Sequence, residues 1–210
     1  MLSKEFRVSP TFLRNEYVGD GQLEIPIVKK QSINLDNLDL ISYANVKINE
    51  SEFNKKKGVH FFVDDYRFER IYDYPNRSLE KLSQYKFLCT PDYSLYAEMQ
   101  GWRQVENVAK NRWLGAYWQE HSLCVIPTVS WSTPSSFRYC FKGVERNSIV
   151  AIGMIGCKRN KRGFMFGYDA MLEELAPEAV ICLGEPFDEM RGNIIKVDYN
   201  KSRKGVHYGR

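Results

Sequence analysis

Two aspartates, Asp64 and Asp65, stand where the apolar run 59–63 ends, and a third, Asp92, follows the run 87–89 after Thr90 and Pro91. Carboxylates gathered from neighbouring strand ends can serve as general acid and base, as nucleophile and acid, or as Mg²⁺ ligands. Consecutive side chains at a strand end point to opposite sides, so only one of Asp64 and Asp65 can face a shared cavity. We take Asp64 and Asp92 as the candidate catalytic pair. The competing readings are structural: Asp65 as a cap on the next helix, and Asp92 as a turn or N-cap residue. Glu185, in Gly184-Glu185-Pro186 after the run 179–183, is a third candidate carboxylate, or else a turn residue before the proline.

The same positions carry groups suited to binding. The run 125–129 ends in Ser130-Trp131, and an indole exposed there would stack on a base or sugar. The run 149–153 leads into Gly156-Cys157 and then Lys158-Arg159-Asn160-Lys161-Arg162, the sharpest basic cluster in the chain. On a site-bearing rim such a cluster contacts phosphate; elsewhere it is a solvated loop. Arg67, beside the aspartate pair, and Arg112, flanking a helical apolar stripe, complete the substrate-binding candidates: Arg67, Arg112, Ser130, Trp131, Lys158 and Arg159. Lys158 and Arg159 would also lower the pKa of Cys157, but no His or Asn partner stands at a comparable strand end. The sequence has no GxSxG elbow and no His at these strand ends, which argues against a serine-hydrolase triad. Five cysteines without a CxxC pair and three scattered histidines argue against zinc. Mg²⁺ is the metal the carboxylates would accept; the cofactor is otherwise open.

Positioning these residues requires a particular frame. Short apolar runs separated by helical stretches are the signature of parallel strands in an α/β domain, where ligands bind beyond the carboxyl ends of the strands. We expect strands at 38–43, 58–63, 86–90, 123–129, 148–153, 179–183 and 193–197. Helices are expected at 79–85, from about 95 to 120 (with Met99, Trp102, Val105, Ala109, Trp113 and Ala116 as its apolar stripe), briefly after Pro134, and from Phe164 to Leu175, where Pro177 stops it. No glycine-rich turn follows the first strand, so an incomplete, compact (β/α) barrel is favoured over a doubly wound nucleotide fold. The organisation is read as an N-terminal arm (1–36, with one strand near 23–28), an α/β domain (37–200) and a basic, mobile tail (201–210). The charged stretch 49–57 reads as a solvated connection.

With 210 residues, 43% hydrophobic and 27% charged, the composition is that of one globular domain with a real core. The net charge of +4 points only weakly towards nucleic acid. No apolar leader and no run of about 20 apolar residues is present, so the expected location is the cytoplasm, with no membrane partner and with reduced thiols.

The strings HFFVDDYRFER, TPDYSLY, NRWLGAYWQ, VIPTVSW and IGCKRN, in that order, resemble the family called domain of unknown function 4417, over roughly residues 58–197. The resemblance implies a product of phages, plasmids or other mobile elements and brings no established activity. By architecture alone, the strand-end order is also similar to barrel enzymes that excise or exchange nucleic-acid bases with one carboxylate as nucleophile and another as acid–base. This chain lacks their zinc-ligand cysteines. Two expectations follow. The first is action on nucleic acid or nucleotides at a carboxylate and basic site, by base excision, exchange or hydrolysis. The second is a non-catalytic module that binds nucleic acid, counters a host defence protein, or sequesters a nucleotide signal.

Overall fold

The computed structural model describes residues 3–203. Its elements run α1 (Ser3–Arg7), α2 (Pro10–Leu13), β1 (Gly19–Asp20), β2 (Ile25–Pro26), β3 (Leu40–Ser42), α3 (Glu52–Lys55), β4 (Gly58–His60), α4 (Arg70–Asp73), α5 (Asn76–Leu82) and β5 (Phe87–Cys89). They continue with α6 (Gly101–Glu120), β6 (Val125–Ile126), α7 (Phe137–Cys140), β7 (Ile149–Gly153), α8 (Lys161–Leu175), β8 (Ala179–Leu183), β9 (Ile194–Val197) and α9 (Tyr199–Arg203).

Strands β3-β4-β5-β6 form one parallel sheet in chain order, and β7-β8-β9 form another. The two are joined just beyond β6, where Thr128 pairs in parallel with Ala151. There the Val129 N–H donates to the Ala151 carbonyl at 2.8 Å and the Ala151 N–H to the Pro127 carbonyl at 2.9 Å. Seven parallel strands thus follow one another side by side. Successive right-handed crossovers put the helices on one face, and the twisted sheet curls around the other. The result is a single α/β domain shaped as an incomplete barrel, open between β9 and β3.

The inner face is a core drawn from every one of these strands or the residues just after it: Leu40, Phe62, Phe87, Cys89, Ile126, Ala151, Ile181 and Val197 are all buried in one cluster. The alternate side chains face outward. Val59, Leu88 and Val125 pack with Trp113, Leu114 and Trp118 of α6. Val150, Val180 and Cys182 pack with Tyr139 of α7 and with Tyr168 and Met171 of α8. Burial on both faces is why these strands appear in the sequence as unbroken apolar runs. Gly58 is required where it stands, because a Cβ there would lie 2.1 Å from the Phe87 ring, which fills the inside of the barrel.

Helix α8 begins where the Asn160 side chain accepts the Gly163 N–H and ends at Ala176 in left-handed conformation, one residue before Pro177. Helix α6 departs from expectation. It starts at Gly101, not near residue 95, and Trp102 is 70% exposed and outside the core. The buried face carries Gln104, Asn107, Asn111 and Arg112 beside Val108 and Leu114, so four of its eleven buried residues are polar. Those polar groups bind loop carbonyls, which lets a hydrophilic face be buried.

Three other segments also differ. The arm contains two short helices and the β1–β2 pair, in place of a lone strand. It is pinned by Arg14, whose guanidinium lies 4.3 Å from the Tyr72 ring centroid and 4.0 Å from that of Trp113. The supposedly solvated stretch 49–57 includes α3 and ends in a buried Lys57, which pairs with Asp39 at 3.5 Å. Residues 201–203, expected in a mobile tail, form part of α9; the remainder of that tail lies outside the described residues.

Candidate active site

The carboxyl ends of β3 to β7 open into a cleft of about 620 Å³. Each strand end contributes to its lining: Ser42 at the end of β3 and Asn45 after it, Asp64 and Arg67 after β4, Asp92, Ser94 and Tyr96 after β5, Ser130 and Trp131 after β6, Gly153 at the end of β7 and Cys157 after it. Phe164 of α8 and Tyr199 and Arg203 of α9 complete it.

The ends of β5 and β6 are clamped together. The Thr128 N–H donates to Thr90 Oγ1 at 2.7 Å, and Thr128 Oγ1 donates to the Thr90 carbonyl at 2.6 Å. From below, Asn111 Nδ2 donates to the Pro91 carbonyl at 2.7 Å, and Arg112 Nη1 donates to the Thr128 carbonyl at 2.8 Å. This lattice carries Asp92 and Ser130, the residues immediately after Pro91 and two after Thr128. Asp92 Oδ1 is shut off from solvent with no hydrogen-bond partner among the described residues. Burial pushes the Asp92 pKa up to about 7; the Ser130 hydroxyl pulls it partly back, and the charge of Asp65 adds to the rise. A carboxyl so placed exchanges a proton at neutral pH.

The two adjacent aspartates diverge. Asp64 lines the cleft with its side chain 73% exposed, 3.9 Å from Arg67 Nε. Asp65 is taken up by the neighbouring loop, accepting the Ser94 N–H at 3.0 Å and the Ser94 hydroxyl at 2.9 Å. That brace fixes the 92–96 segment against the β4 end. Trp131 forms a wall, its indole laid over Gly167 of α8, where a Cβ would come within 2.2 Å of the ring. Its ring centroid is 5.1 Å from that of Phe164.

Four further candidates do not line the cleft. Arg112 lies beneath it, 2% exposed, and donates to the carbonyls of Thr128, Lys142 (3.0 Å) and Cys140 (2.9 Å), and to Asn111 Oδ1. Its charge is spent on backbone carbonyls, with no carboxylate partner among the described residues. Glu185 stands past Gly184 and pairs with Lys196. Lys158 and Arg159 are exposed on the 3-10 turn Cys157–Asn160, at the outer rim. Cys157 itself reaches the cleft, but burial, with the charge of Asp92, raises its thiol to about 11, so the neighbouring cations do not activate it.

Sequence reasoning did not single out Ser42, Asn45, Tyr199 or Arg203. The strand-end rule applied to β9 would have pointed to residue 199. The anchor of α9 had no local signal at all: buried His60 of β4 meets Ser202. Among the described residues, no group of three or more His, Cys, Asp or Glu side chains could hold a metal ion. Nor is any described helix long and apolar enough to cross a membrane.

Comparison with known proteins gives a family and two relatives. The family described as Domain of unknown function (DUF4417) matches residues 17–200. The chain is 38% identical over 130 residues to the Gene 1 protein of Mycobacterium phage L5, covering 60% of this chain and 57% of that protein. It is 37% identical over 129 residues to the Gene 1 protein of Mycobacterium phage D29, covering 60% of this chain and 48% of that one. The chain therefore spans about half the length of these curated relatives. No solved structure matches.

Proposed function

The chain belongs to the DUF4417 family, and we propose that it is a mobile-element enzyme that acts on nucleic acid or nucleotides by proton transfer at Asp92. The observation that carries this reading is the Asp92 carboxyl, sunk into a cleft at the strand ends with one oxygen sealed from water and its pKa near neutrality. Perturbed carboxyls in concave sites are candidates for acid–base work, and strand carboxyl ends are where α/β folds bind ligands.

In this reading Asp92 protonates the leaving atom and recovers a proton from the attacking water. Asp64, from the neighbouring strand end, is the second carboxylate. Two carboxyls in unlike surroundings, one sealed and one open, suit the separate roles of acid and base. Arg67 and Arg203 stand in the lining as cations for phosphate, and Trp131 offers an aromatic wall for a base. The phage origin of both relatives supports the mobile-element context.

The test compares wild type with Asp92→Asn and Asp64→Asn on DNA, RNA and nucleotides, with and without Mg²⁺, following products by mass spectrometry. Turnover should drop by about 10²-fold or more in Asp92→Asn. A wild-type protein that leaves every substrate unchanged under both conditions ends the enzymatic reading.

A further inference from the structure

Three large aromatic side chains stand out in solvent beside the cleft: Tyr66 at 71% exposure, Tyr96 at 63% and Trp102 at 70%. They are carried by two segments that are tied together. Ser94 bonds to Asp65, joining the loop after β5 to the turn after β4. Arg103, next to Trp102, pairs with Glu69 at 3.8 Å. Tyr96 itself lines the cleft, and these contacts hold the segments that carry Tyr66 and Trp102 next to it. Three acidic groups along this rim have partners, Asp64 with Arg67, Asp65 with Ser94 and Glu69 with Arg103; Glu98, exposed between Tyr96 and Trp102, has no ion pair among the described residues. Past the β7 end of the same cleft, Lys158 and Arg159 are exposed and carry no ion pair among the described residues.

We infer that this rim is a stacking platform for single-stranded nucleic acid, whose bases lie on Tyr66, Tyr96 and Trp102 while its phosphates meet Lys158 and Arg159. The inference rests on the nucleic-acid reading above and narrows it to a strand that leads one nucleotide into the cleft. Aromatic rings joined to a cationic edge are how proteins hold unpaired strands, since every base offers a face for stacking. A duplex keeps its base faces stacked inside and cannot use such rings. A purely apolar docking face for a protein would lack the two unpaired cations past the β7 end of the cleft.

The test is fluorescence anisotropy with the whole chain, using a 12-nucleotide single strand (DNA and RNA) and the duplex of the same sequence. Mononucleotide binding is followed in parallel by calorimetry. The single strand should bind more tightly than the duplex. The combined Tyr66→Ala, Tyr96→Ala and Trp102→Ala variant should weaken it about tenfold or more. Its melting temperature should match wild type, because the three rings are exposed. Lys158→Ala with Arg159→Ala should flatten the dependence of log affinity on log salt by about 1.4 for two phosphate contacts. If the aromatic variant binds the strand as wild type does, or the duplex binds equally well, the inference falls and the rings belong to a protein partner. If mononucleotides bind but no oligonucleotide does, this inference falls and the site reading stands. If the chain binds and alters none of these, the reading of the site falls too.

Discussion

The ring of His60 on β4 lies 3.0 Å through Nε2 from the hydroxyl of Ser202 on α9, although 142 residues separate them. The Phe62 N–H donates to His60 Nδ1 at 3.2 Å, so the proton sits on Nε2 and is donated to Ser202. Ser202 in turn donates to the Tyr199 carbonyl at 2.8 Å. This chain of bonds docks α9 across the open side of the barrel and delivers Tyr199 and Arg203 to the cleft.

Replacing Ser202 by Ala should leave the buried His60 donor without a partner, costing about 1–3 kcal/mol. The loss should appear first as local opening. Hydrogen exchange at residues 199–203 should quicken while the strands of the barrel keep their protection. Unchanged exchange in α9 would show that the helix is held by other contacts.

Burial, aided by the charge of Arg203, lowers the His60 pKa from 6.5 to about 3. The unfolded chain then binds more protons than the native one between pH 6.5 and 3, so this residue makes stability fall as pH drops through that window. At pH 5 the effect is about 2 kcal/mol for a fully shifted group. The His60→Asn variant should show a shallower fall in melting temperature from pH 7.5 to 5 than wild type, whatever its absolute stability. An equal slope would argue that His60 is protonated in the native state.

Asp92 acts with the opposite sign in an overlapping window. Its native pKa, near 7, is above the model-peptide value, so the native chain holds the proton more firmly and stability falls as pH rises from about 4 to 7. Asp92→Asn should therefore be more stable than wild type at pH 8, by about 2–4 kcal/mol, and should lose that advantage near pH 4. Urea titrations at both pH values check this. A variant less stable than wild type at pH 8 would contradict the raised pKa.

Arg112 donates to three backbone carbonyls from a fully buried position. Arg112→Ala should cost about 3–5 kcal/mol, because it leaves those acceptors unpaired and opens a cavity. It should also loosen the 90–92 and 128–130 segments. Arg112→Lys should recover little, since one ammonium cannot span the fork of acceptors. Full recovery with Lys would mean that charge alone matters there.

In the barrel interior, Gly58→Ala should cost about 1–3 kcal/mol, since the new methyl group meets the Phe87 ring. Pairing it with Phe87→Leu should restore part of the loss, a coupling measurable in a double-mutant cycle. Independent, additive effects would put the glycine's role elsewhere.

How much was legible depended on the range over which each signal acts. Runs such as 149–153 and 179–183 are buried on both faces, so their positions and parallel character were plain from residue type. Helix α8 was equally plain, because Tyr168, Met171 and Leu175 keep a strict apolar spacing and Pro177 stops it. Helix α6 was misread at its start. Trp102 fits the apolar spacing by residue type, yet it is left in solvent, while Asn107 and Asn111 are buried because loop carbonyls await them. Periodicity cannot see a partner that lies elsewhere in the chain.

The sequence by itself determined that strands would be short, parallel and sheathed by helices, and that reactive groups would cluster where they end. These depend on side-chain size, polarity and local spacing, which each segment carries alone. Only the tertiary structure decided which groups share the cleft. It tied Asp65 to Ser94, sealed one oxygen of Asp92, sent Arg112 into the interior and brought Tyr199 and Arg203 to the mouth. Those outcomes follow from long-range hydrogen bonds and burial, which exist only once distant segments have closed on one another.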